Sequence, residues 1–180
     1  MKGSQGAFRV MAILLALALI TGVGTAFAAE KTIKLTIGTG KPIDAGKWIS
    51  TIRDYFVPEV SKRVAAQTDY KIKWSQAYSG SVAKAGAVLE AVEMGLLDIG
   101  LVVYPFEPAK LFLHNFAYWV PFSSPNTLEV NKIGMKLHND FDVLQKTFET
   151  KYNQKWLACG AGASYQLITT FPVKKLSDLK

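Results

Sequence analysis

The alternation of strand-like and helix-like segments constrains the fold of this chain most. Lys31–Thr39 alternates apolar with polar residues, as does Asp69–Ala77, and a period of two predicts strands with one buried face. Asp98–Tyr104 is almost continuously apolar, as expected of a parallel strand that is covered on both faces. Between the strands, apolar residues recur at steps of three and four, which predicts amphipathic helices over Gly46–Gln67 and Val82–Leu96. The resulting order, βαβαβ, predicts right-handed crossovers and an open α/β sheet with flanking helices.

Single residues refine the ends of the two helices. Pro58 has no amide hydrogen, so we expect it to kink or split the first helix near Val57. Ser81 follows a turn and is suited to cap the second helix, and Gly95 is suited to end it. The third strand should therefore begin shortly after Gly95.

The second half of the chain has a different character. Residues 105–125 are rich in proline and aromatic residues, which predicts short packed turns rather than a long helix. Asn126 and Glu129 have the spacing of a capping box, so we expect one long amphipathic helix from there to about Lys151. After this helix, two further strands are predicted, over Lys155–Ala161 and Tyr165–Thr170.

The N-terminal segment has the three parts of a secretory signal peptide. A leader with two positive charges precedes the uncharged apolar stretch Val10–Val23, and Ala26 and Ala28 supply small residues for a signal peptidase. The apolar stretch has 14 residues, whereas a membrane-spanning helix needs about 20. We therefore expect residues 1–28 to be a cleaved signal peptide and residues 29–180 to form the mature, periplasmic part of the protein.

Composition and charge exclude several classes of protein. Hydrophobic residues make up 49% and charged residues 19% of the chain, which argues against intrinsic disorder. A single cysteine excludes a disulfide framework and a zinc site built from cysteines. The formal charge of +7 is spread along the sequence without clustering, so we expect no nucleic-acid partner. The charge remains compatible with small anionic ligands.

No motif for catalysis or for a cofactor stands out. The glycine-rich turns at residues 38–40 and 160–162 lack the third glycine of a dinucleotide-binding loop. His114 and His138 are far apart in sequence, and a metal site would need a third ligand brought in by the fold. Cys159 follows apolar residues and is predicted to be a buried structural thiol. We therefore expect no cofactor and no enzymatic activity.

The loops that follow the predicted strands are the best candidates for a binding site. Ligands of open parallel sheets bind beyond the carboxyl ends of the strands. In this chain those loops contain small, hydroxylated and aromatic residues, which suit a binding cleft more than a reaction centre. The candidate ligand-binding residues in them are Thr39, Gly40, Lys41, Tyr104 and Tyr165.

Several segments together resemble one family, the extracytoplasmic solute-binding proteins of tripartite ATP-independent periplasmic (TRAP) transporters, in their dicarboxylate-binding branch. The resemblance lies in the signal peptide, the first strand and helix, and a strand–turn–helix block that ends in Gly95-Leu96-Leu97-Asp98. It continues through an apolar segment that ends in Pro121-Phe122 and through Phe171–Lys180. Because the resemblance covers only the first half of such a protein, we expect a truncated sequence, with the first lobe and part of the hinge or second lobe.

The resemblance implies a periplasmic-binding-protein-like fold whose two lobes close on a small organic anion by a hinge motion. The partners would be a small and a large membrane subunit that use an ion gradient for uptake. An arginine that clamps the ligand carboxylate in the family would lie beyond Lys180, and its planar guanidinium suits that role.

Two differences from the family bear on the ligand. Phe171 stands where some members have a basic residue before the Pro-x-x-x-Leu segment, which makes Phe171 a further candidate ligand-binding residue. The loop after the third strand offers Val103 and Tyr104 in place of charged or amide side chains. These changes make the visible part of the site more apolar and aromatic. We therefore expect a monocarboxylate with an apolar or aromatic body rather than a sialic acid or a small dicarboxylate.

Two other functions remain open on sequence grounds. A secreted α/β hydrolase could use Ser164 with His114 or His138, although the sequence has no nucleophile elbow, and assays with ester substrates would reveal such an activity. The chain could also be the receptor of an ATP-driven importer, which neighbouring genes for an ATPase would indicate.

Overall fold

The computed structural model describes residues 31–120, 124–162 and 167–179, and its centre is a three-stranded sheet in the order β2-β1-β3. The strands are β1 (Lys31–Gly38), β2 (Tyr70–Ala77) and β3 (Ile99–Gly100). β1 and β3 are parallel, with Ile37 opposite Ile99. The Thr39 amide donates a hydrogen bond to the Ala77 carbonyl over 3.0 Å, so the carboxyl ends of β1 and β2 meet at one edge. The prediction of a mixed α/β fold is thereby confirmed.

β3 is shorter than the strand predicted over Asp98–Tyr104. The Leu101 amide still donates to the Gly38 carbonyl over 2.9 Å. Beyond this point β1 has ended, and the Thr39 hydroxyl donates to the Leu101 carbonyl over 3.1 Å in place of a backbone amide. The residues that follow therefore leave the ladder, and Val102 packs into the apolar core.

The turn before β3 is built from the Gly95-Leu96-Leu97-Asp98 element. Gly95 ends the preceding helix, as predicted, with a φ of 71°, a left-handed conformation that favours glycine. Leu97 is buried, and the Asp98 carboxylate accepts a hydrogen bond from the Thr36 amide over 2.6 Å. This element therefore fixes the position of β3 against β1.

The first helical segment consists of α1 (Lys47–Thr51), a π segment (Ile52–Phe56) and α2 (Val57–Gln67). The Val57 amide donates to the Ile52 carbonyl, and the next residue, Pro58, has no amide hydrogen to donate. The irregularity predicted near Val57 is confirmed, and it takes the form of a widened turn rather than a break. Trp74 Nε1 donates to Ser61 Oγ over 2.7 Å, which holds α2 against β2.

The second helix, α3 (Val88–Glu93), begins later than predicted. The prediction that Ser81 caps this helix is wrong, because the residues after it form an irregular loop that leads into a 3₁₀ turn at Ala85–Ala87. The Gly80 amide donates to the Thr39 carbonyl over 3.3 Å, so this loop is held against the end of β1 instead of starting a helix.

Two apolar clusters meet at α3. The first packs α3 against the sheet and consists of Ala77, Val88, Ala91 and Leu97. The second connects α3 with later parts of the chain and consists of Leu89, Leu111 and Phe148. The half-buried Val102 packs against both clusters, so the chain after β3 links the two halves of the core.

Residues 104–120 form short turns, as predicted. Two 3₁₀ turns and a four-residue helix, α4, occupy Tyr104–Phe106, Leu113–Asn115 and Phe116–Trp119. The Asn115 side chain ties the two turns together, because its Nδ2 donates to the Tyr104 carbonyl over 2.9 Å and to the Leu111 carbonyl over 3.0 Å. The Pro121-Phe122 end of this segment lies outside the described residues.

The helix α5 (Thr127–Asp140) begins at the predicted cap. Asn126 Oδ1 accepts hydrogen bonds from the amides of Leu128 and Glu129, which satisfies two free donors of the first turn. Ser124 Oγ donates to the Glu129 carboxylate over 2.7 Å and accepts from the Asn126 amide over 3.1 Å. Ser124 therefore completes the capping arrangement.

A separate helix, α6 (Asp142–Tyr152), follows directly, so the prediction of one long helix is wrong. Phe141 interrupts the helix with φ and ψ of −118° and 92°. The interruption leaves carbonyls without helical partners at the end of α5, and Gln145 Nε2 donates to one of them, the His138 carbonyl, over 2.9 Å. α6 ends close to its predicted end, where Asn153 adopts the left-handed conformation with a φ of 50°.

The two strands predicted after α6 are wrong in their described part. Residues 155–162 and 167–170 form no hydrogen-bonded ladder, and residues 163–166 lie outside the described residues. A side chain anchors the start of this segment instead, because Gln154 Nε2 donates to the Leu89 carbonyl over 2.7 Å.

The last described element is a 3₁₀ turn at Leu176–Leu179. Asp178 Oδ2 accepts hydrogen bonds from the amides of Lys174 and Lys175 over 2.9 and 3.0 Å, so its side chain holds the turn against the residues that precede it. The predicted signal peptide lies outside the described residues. In the part of the chain that is described, no helix is long and apolar enough to cross a membrane.

Candidate functional site

The carboxyl-terminal edge of the sheet brings together the three loops that follow β1, β2 and β3. The Ser79 amide donates to the Lys41 carbonyl over 3.0 Å, which joins the first two loops. Lys41 Nζ lies 4.6 Å from the centroid of the Phe106 ring, which joins the first loop to the third. Three of the loops predicted to lie at one edge therefore share it, whereas the loop predicted at residues 162–165 lies largely outside the described residues.

The Lys41 ammonium is an uncompensated charge at this edge. None of the described carboxylates lies within ion-pair distance of it, and its contact is with the ring of Phe106. Lys41 is half-buried, whereas Phe106 is 45% exposed. A cation over an aromatic face is attracted by the negative face of the ring. The edge therefore presents a positive charge beside an accessible apolar surface.

Thr39 and Gly40 shape the edge from within. Thr39 is 2% exposed, and its hydroxyl donates a hydrogen bond to the Leu101 carbonyl. The side chain therefore connects the end of β1 with the residue that follows β3. Gly40 permits a close approach of two loops, because a Cβ atom at Gly40 would lie 2.0 Å from the Ala85 amide nitrogen. These two predicted site residues position Lys41 rather than present side chains of their own.

A surface depression of about 310 Å³ is formed by residues that follow Lys41. It is lined by Asp44, Gly46, Lys47, Ser50, Arg53 and Asp54. Arg53 Nε is paired with Asp54 Oδ1 at 2.6 Å, so the guanidinium is already neutralised. Burial raises the pKa of the nearby Tyr78 hydroxyl, and the Arg53 charge opposes this shift. The two cations of the lining, Lys47 and Arg53, are balanced by two carboxylates, Asp44 and Asp54, so the depression favours an anionic ligand less than Lys41 does.

Tyr104 points into the interior rather than toward the edge. Its Oη accepts a hydrogen bond from Trp156 Nε1 over 3.1 Å, and its ring meets the imidazole of His114 edge-on at 5.4 Å between centroids. Burial raises the pKa of Tyr104 to about 12, because the phenolate would lose its hydration there. Phe106, two residues further on, presents the aromatic surface that the sequence analysis assigned to Tyr104.

His114 and His138 lie together in this interior cluster. Their ring centroids are 5.4 Å apart, and His138 also stacks on Trp156. His114 is 4% exposed and His138 is 1% exposed. Burial lowers the pKa of both imidazoles, because a buried cation would lose its hydration. Both rings are therefore neutral at pH 7.

Cys159 approaches the same cluster from the segment after α6. It is half-buried, and its Sγ packs over Gly134, where an added Cβ would lie 2.9 Å from the sulfur. Burial raises the pKa of the Cys159 thiol, so this thiol is a poor nucleophile. Among the described side chains, no group of three or more His, Cys, Asp or Glu residues could hold a metal ion.

The candidate residues of the last segment are not joined to Lys41. Tyr165 lies outside the described residues, as does Ser164. Phe171 is 49% exposed, and its carbonyl accepts a hydrogen bond from the Thr169 hydroxyl over 2.5 Å. In the described part of the chain, no ring contact of Phe171 connects it with the Lys41 edge.

Sequence reasoning missed Phe106 and the contact between the two histidines. Phe106 follows the third predicted strand, and the rule that selected Tyr104 from this loop applies to it equally. The contact between His114 and His138 has no such signal, because it joins a 3₁₀ turn to a helix that lies much further along the chain.

No protein-family model, no curated protein and no solved structure matches this chain. A functional assignment therefore depends on the geometry of the site and on the sequence resemblance.

Proposed function

We propose that this chain is the extracytoplasmic solute-binding component of a TRAP transporter, and that it captures a carboxylate with an apolar or aromatic body. The observation that carries the proposal is the uncompensated Lys41 ammonium, which lies 4.6 Å from the ring centroid of the exposed Phe106. The transporter class comes from the sequence resemblance. The ligand class comes from the chemistry of these two side chains.

The Lys41 ammonium suits a carboxylate. It is a compact cation with three donors, and a charge-assisted hydrogen bond to a carboxylate contributes about 1.5–3 kcal/mol. The absence of a neighbouring carboxylate among the described residues leaves these donors available to a ligand. The Lys41 ammonium can therefore bind the carboxylate of the proposed ligand.

The Phe106 ring suits the rest of the ligand. Nearly half of this side chain is accessible, and it lies directly beside the cation. Apolar contact with an aromatic face is favourable in proportion to the apolar area removed from water. A ligand whose carboxylate contacts Lys41 would therefore gain further affinity from an aromatic or branched body.

The location of the pair favours binding rather than catalysis. Parallel sheets bind ligands at the carboxyl ends of their strands, where Lys41 and Phe106 lie. The histidines that a hydrolase would require are buried in a separate cluster. In the proposed role the protein works in the periplasm and delivers its ligand to a small and a large membrane subunit.

The ligand class is tested by calorimetry on the full chain. We expect 3-phenylpropanoate and 4-methylpentanoate to bind more tightly than succinate. Lys41→Met keeps the length of the side chain but removes its charge, and it should weaken binding of all three acids by about tenfold or more, as loss of a charge-assisted hydrogen bond requires. Phe106→Leu should weaken 3-phenylpropanoate more than 4-methylpentanoate, since it removes the aromatic face.

The matched control is Lys34→Met, which removes an exposed lysine from β1 away from this edge. It should leave the three affinities unchanged. Tighter binding of succinate than of the two apolar acids, or equal effects of Lys34→Met and Lys41→Met, would contradict the proposed ligand class.

The transporter class is tested separately, by the genes beside the source gene. Genes for a small and a large membrane protein would support a TRAP transporter. A gene for an ATPase would indicate an ATP-driven importer instead, and the ligand experiment would still stand.

A further inference from the structure

The hydrogen bonds of the two buried histidines define their protonation. His114 Nε2 lies 2.8 Å from the Leu144 carbonyl oxygen, and His138 Nδ1 lies 2.8 Å from the Gly134 carbonyl oxygen. A carbonyl oxygen only accepts, so each of these nitrogens carries a hydrogen. The hydrogen-bond network therefore assigns the Nε2–H tautomer to His114 and the Nδ1–H tautomer to His138.

The second nitrogen of each ring is a bare acceptor. His114 Nδ1 and His138 Nε2 are buried and have no hydrogen-bond partner among the described residues. Protonation of either nitrogen would create a buried positive charge and a buried N–H donor that has no hydrogen-bond acceptor among the described residues. A buried charge or donor without a partner is strongly unfavourable. The packing of the cluster therefore requires both rings to be neutral.

The pair lies where four segments of the chain meet. His114 belongs to the 3₁₀ turn at Leu113–Asn115 and His138 to α5. From α6, the Phe148 ring meets His114 edge-on at 4.9 Å between centroids. From the segment after α6, Trp156 stacks on His138. Protonation of either imidazole would therefore disturb the contacts among these four segments.

The groups that face the pair do not compensate a positive charge. Tyr104 and Cys159 are the titratable ones, and burial raises the pKa of both, so both are neutral at pH 7. Several charged side chains of the packed elements pair with one another, as Lys136–Asp140, Lys146–Asp142, Lys155–Glu149 and Lys110–Glu107. Lys132 and Lys151 form no ion pair with a described residue. Glu107 is buried, which raises the pKa of its carboxyl, and it contacts Lys110 rather than an imidazole. No carboxylate of the described residues pairs with either imidazole.

We propose that the His114–His138 pair is an acid-sensitive latch, whose protonation releases α5 and α6 from the Tyr104–Asn115 segment. The latch is closed while both rings are neutral, and it opens when water and protons reach the bare nitrogens. Because two rings in contact are involved, the opening should be steeper in pH than the titration of one histidine. The inference stands on this cluster alone and is independent of the proposed transport function.

The direction of the pH dependence follows from linkage. Burial lowers the pKa of both imidazoles in the folded chain below their ordinary value of 6.5. The unfolded or opened state therefore binds protons first as the pH falls. Stability is fully present above pH 6.5 and is lost as the pH falls from there through the folded pKa values.

The full chain allows a direct test, because it contains only two histidines. Long-range ¹H–¹⁵N spectra of the ¹⁵N-labelled chain at neutral pH should show one Nε2–H and one Nδ1–H imidazole. On acidification, both imidazoles should take up protons below pH 6.5. Protonation should coincide with the loss of the near-ultraviolet circular dichroism signal that reports aromatic packing.

Variants connect this loss to the pair. The double variant His114→Phe and His138→Phe keeps flat rings but removes both proton sites, and its signal should persist to lower pH than that of the original chain. If the double variant does not fold, the spectra of the original chain decide alone. The proposal is overturned if the imidazoles titrate while the aromatic signal stays native. It is also overturned if the tautomers differ from those assigned, or if the folded double variant loses its signal at the same pH as the original chain.

Discussion

The rings of His138 and Trp156 are stacked, with centroids 4.2 Å apart and 9° between their planes. The same indole donates its Nε1–H to Tyr104 Oη over 3.1 Å. One side chain thus connects α5, the segment after α6 and the turn after β3. This arrangement explains how the segment after α6 stays packed without pairing as a strand.

Trp156 should therefore be a major contributor to stability. Trp156→Ala removes both the stack and the hydrogen bond, and we expect it to lower the free energy of unfolding by about 3 kcal/mol. Trp156→Phe keeps a ring against His138 but loses the donor, which should cost about 1 kcal/mol. Urea unfolding followed by far-ultraviolet circular dichroism measures both values.

Trp119 provides the matched control for this prediction. It is 55% exposed and stacks on the exposed Phe112, so little area returns to water when it is removed. Trp119→Ala should cost less than about 1 kcal/mol. If Trp156→Ala proved no more destabilising than Trp119→Ala, the indole would not connect these segments as described.

Gly40 is the second position where the structure predicts a large effect. A Cβ atom there would lie 2.0 Å from the Ala85 amide nitrogen and 2.3 Å from its Cα, and these are backbone atoms that cannot rotate away. Gly40→Ala must therefore push the loops after β1 and β2 apart. We expect it to lower the free energy of unfolding by about 3 kcal/mol, measured by urea unfolding.

The control for this prediction is Gly160→Ala. A Cβ atom at Gly160 would meet nothing within 4 Å, so the change should stay within about 0.5 kcal/mol of the original stability. Equal stabilities of the two alanine variants would show that the loops do not approach as closely as described. If Gly40→Ala also bound carboxylates more weakly, the close approach of the two loops would be shown to position Lys41 as well.

The part of the fold that was predictable from the sequence is the part that depends on local pattern. β1 and β2 end where their period of two ends, and Asn126 caps α5 because its side chain reaches amides only two and three residues away. Pro58 likewise acts through its own missing amide hydrogen. Such features depend on a few neighbouring residues, so they can be predicted from the sequence alone.

The predictions that were wrong concern segments whose conformation is determined by contacts with residues far away in the sequence. The loop after Ser81 stays irregular because its backbone lies against Gly40, a residue that is adjacent only in the fold. The apolar segment near Trp156 has the pattern of a strand but is held by contacts with His138 and Tyr104. The candidate site follows the same division: its edge could be predicted from strand order, whereas the contact of Lys41 with Phe106 required the three-dimensional arrangement of two loops.

The burial of Tyr104 predicts that its phenol ionises only at high pH. Burial raises its pKa from 10.0 to about 12, because the folded cluster holds the neutral phenol and would not solvate the phenolate. A raised folded pKa means that this contribution to stability is fully present below pH 10 and is lost as the pH rises through about 12. Burial also raises the pKa of Tyr78 and Tyr152, but among the described tyrosines only Tyr104 is raised to about 12. Absorbance titration at the phenolate band should therefore show the step of Tyr104 as the last one, near pH 12. Tyr104→Phe should abolish this step, whereas Tyr55→Phe, at an exposed tyrosine, should retain it. A late step that survives in Tyr104→Phe would place the buried phenol elsewhere.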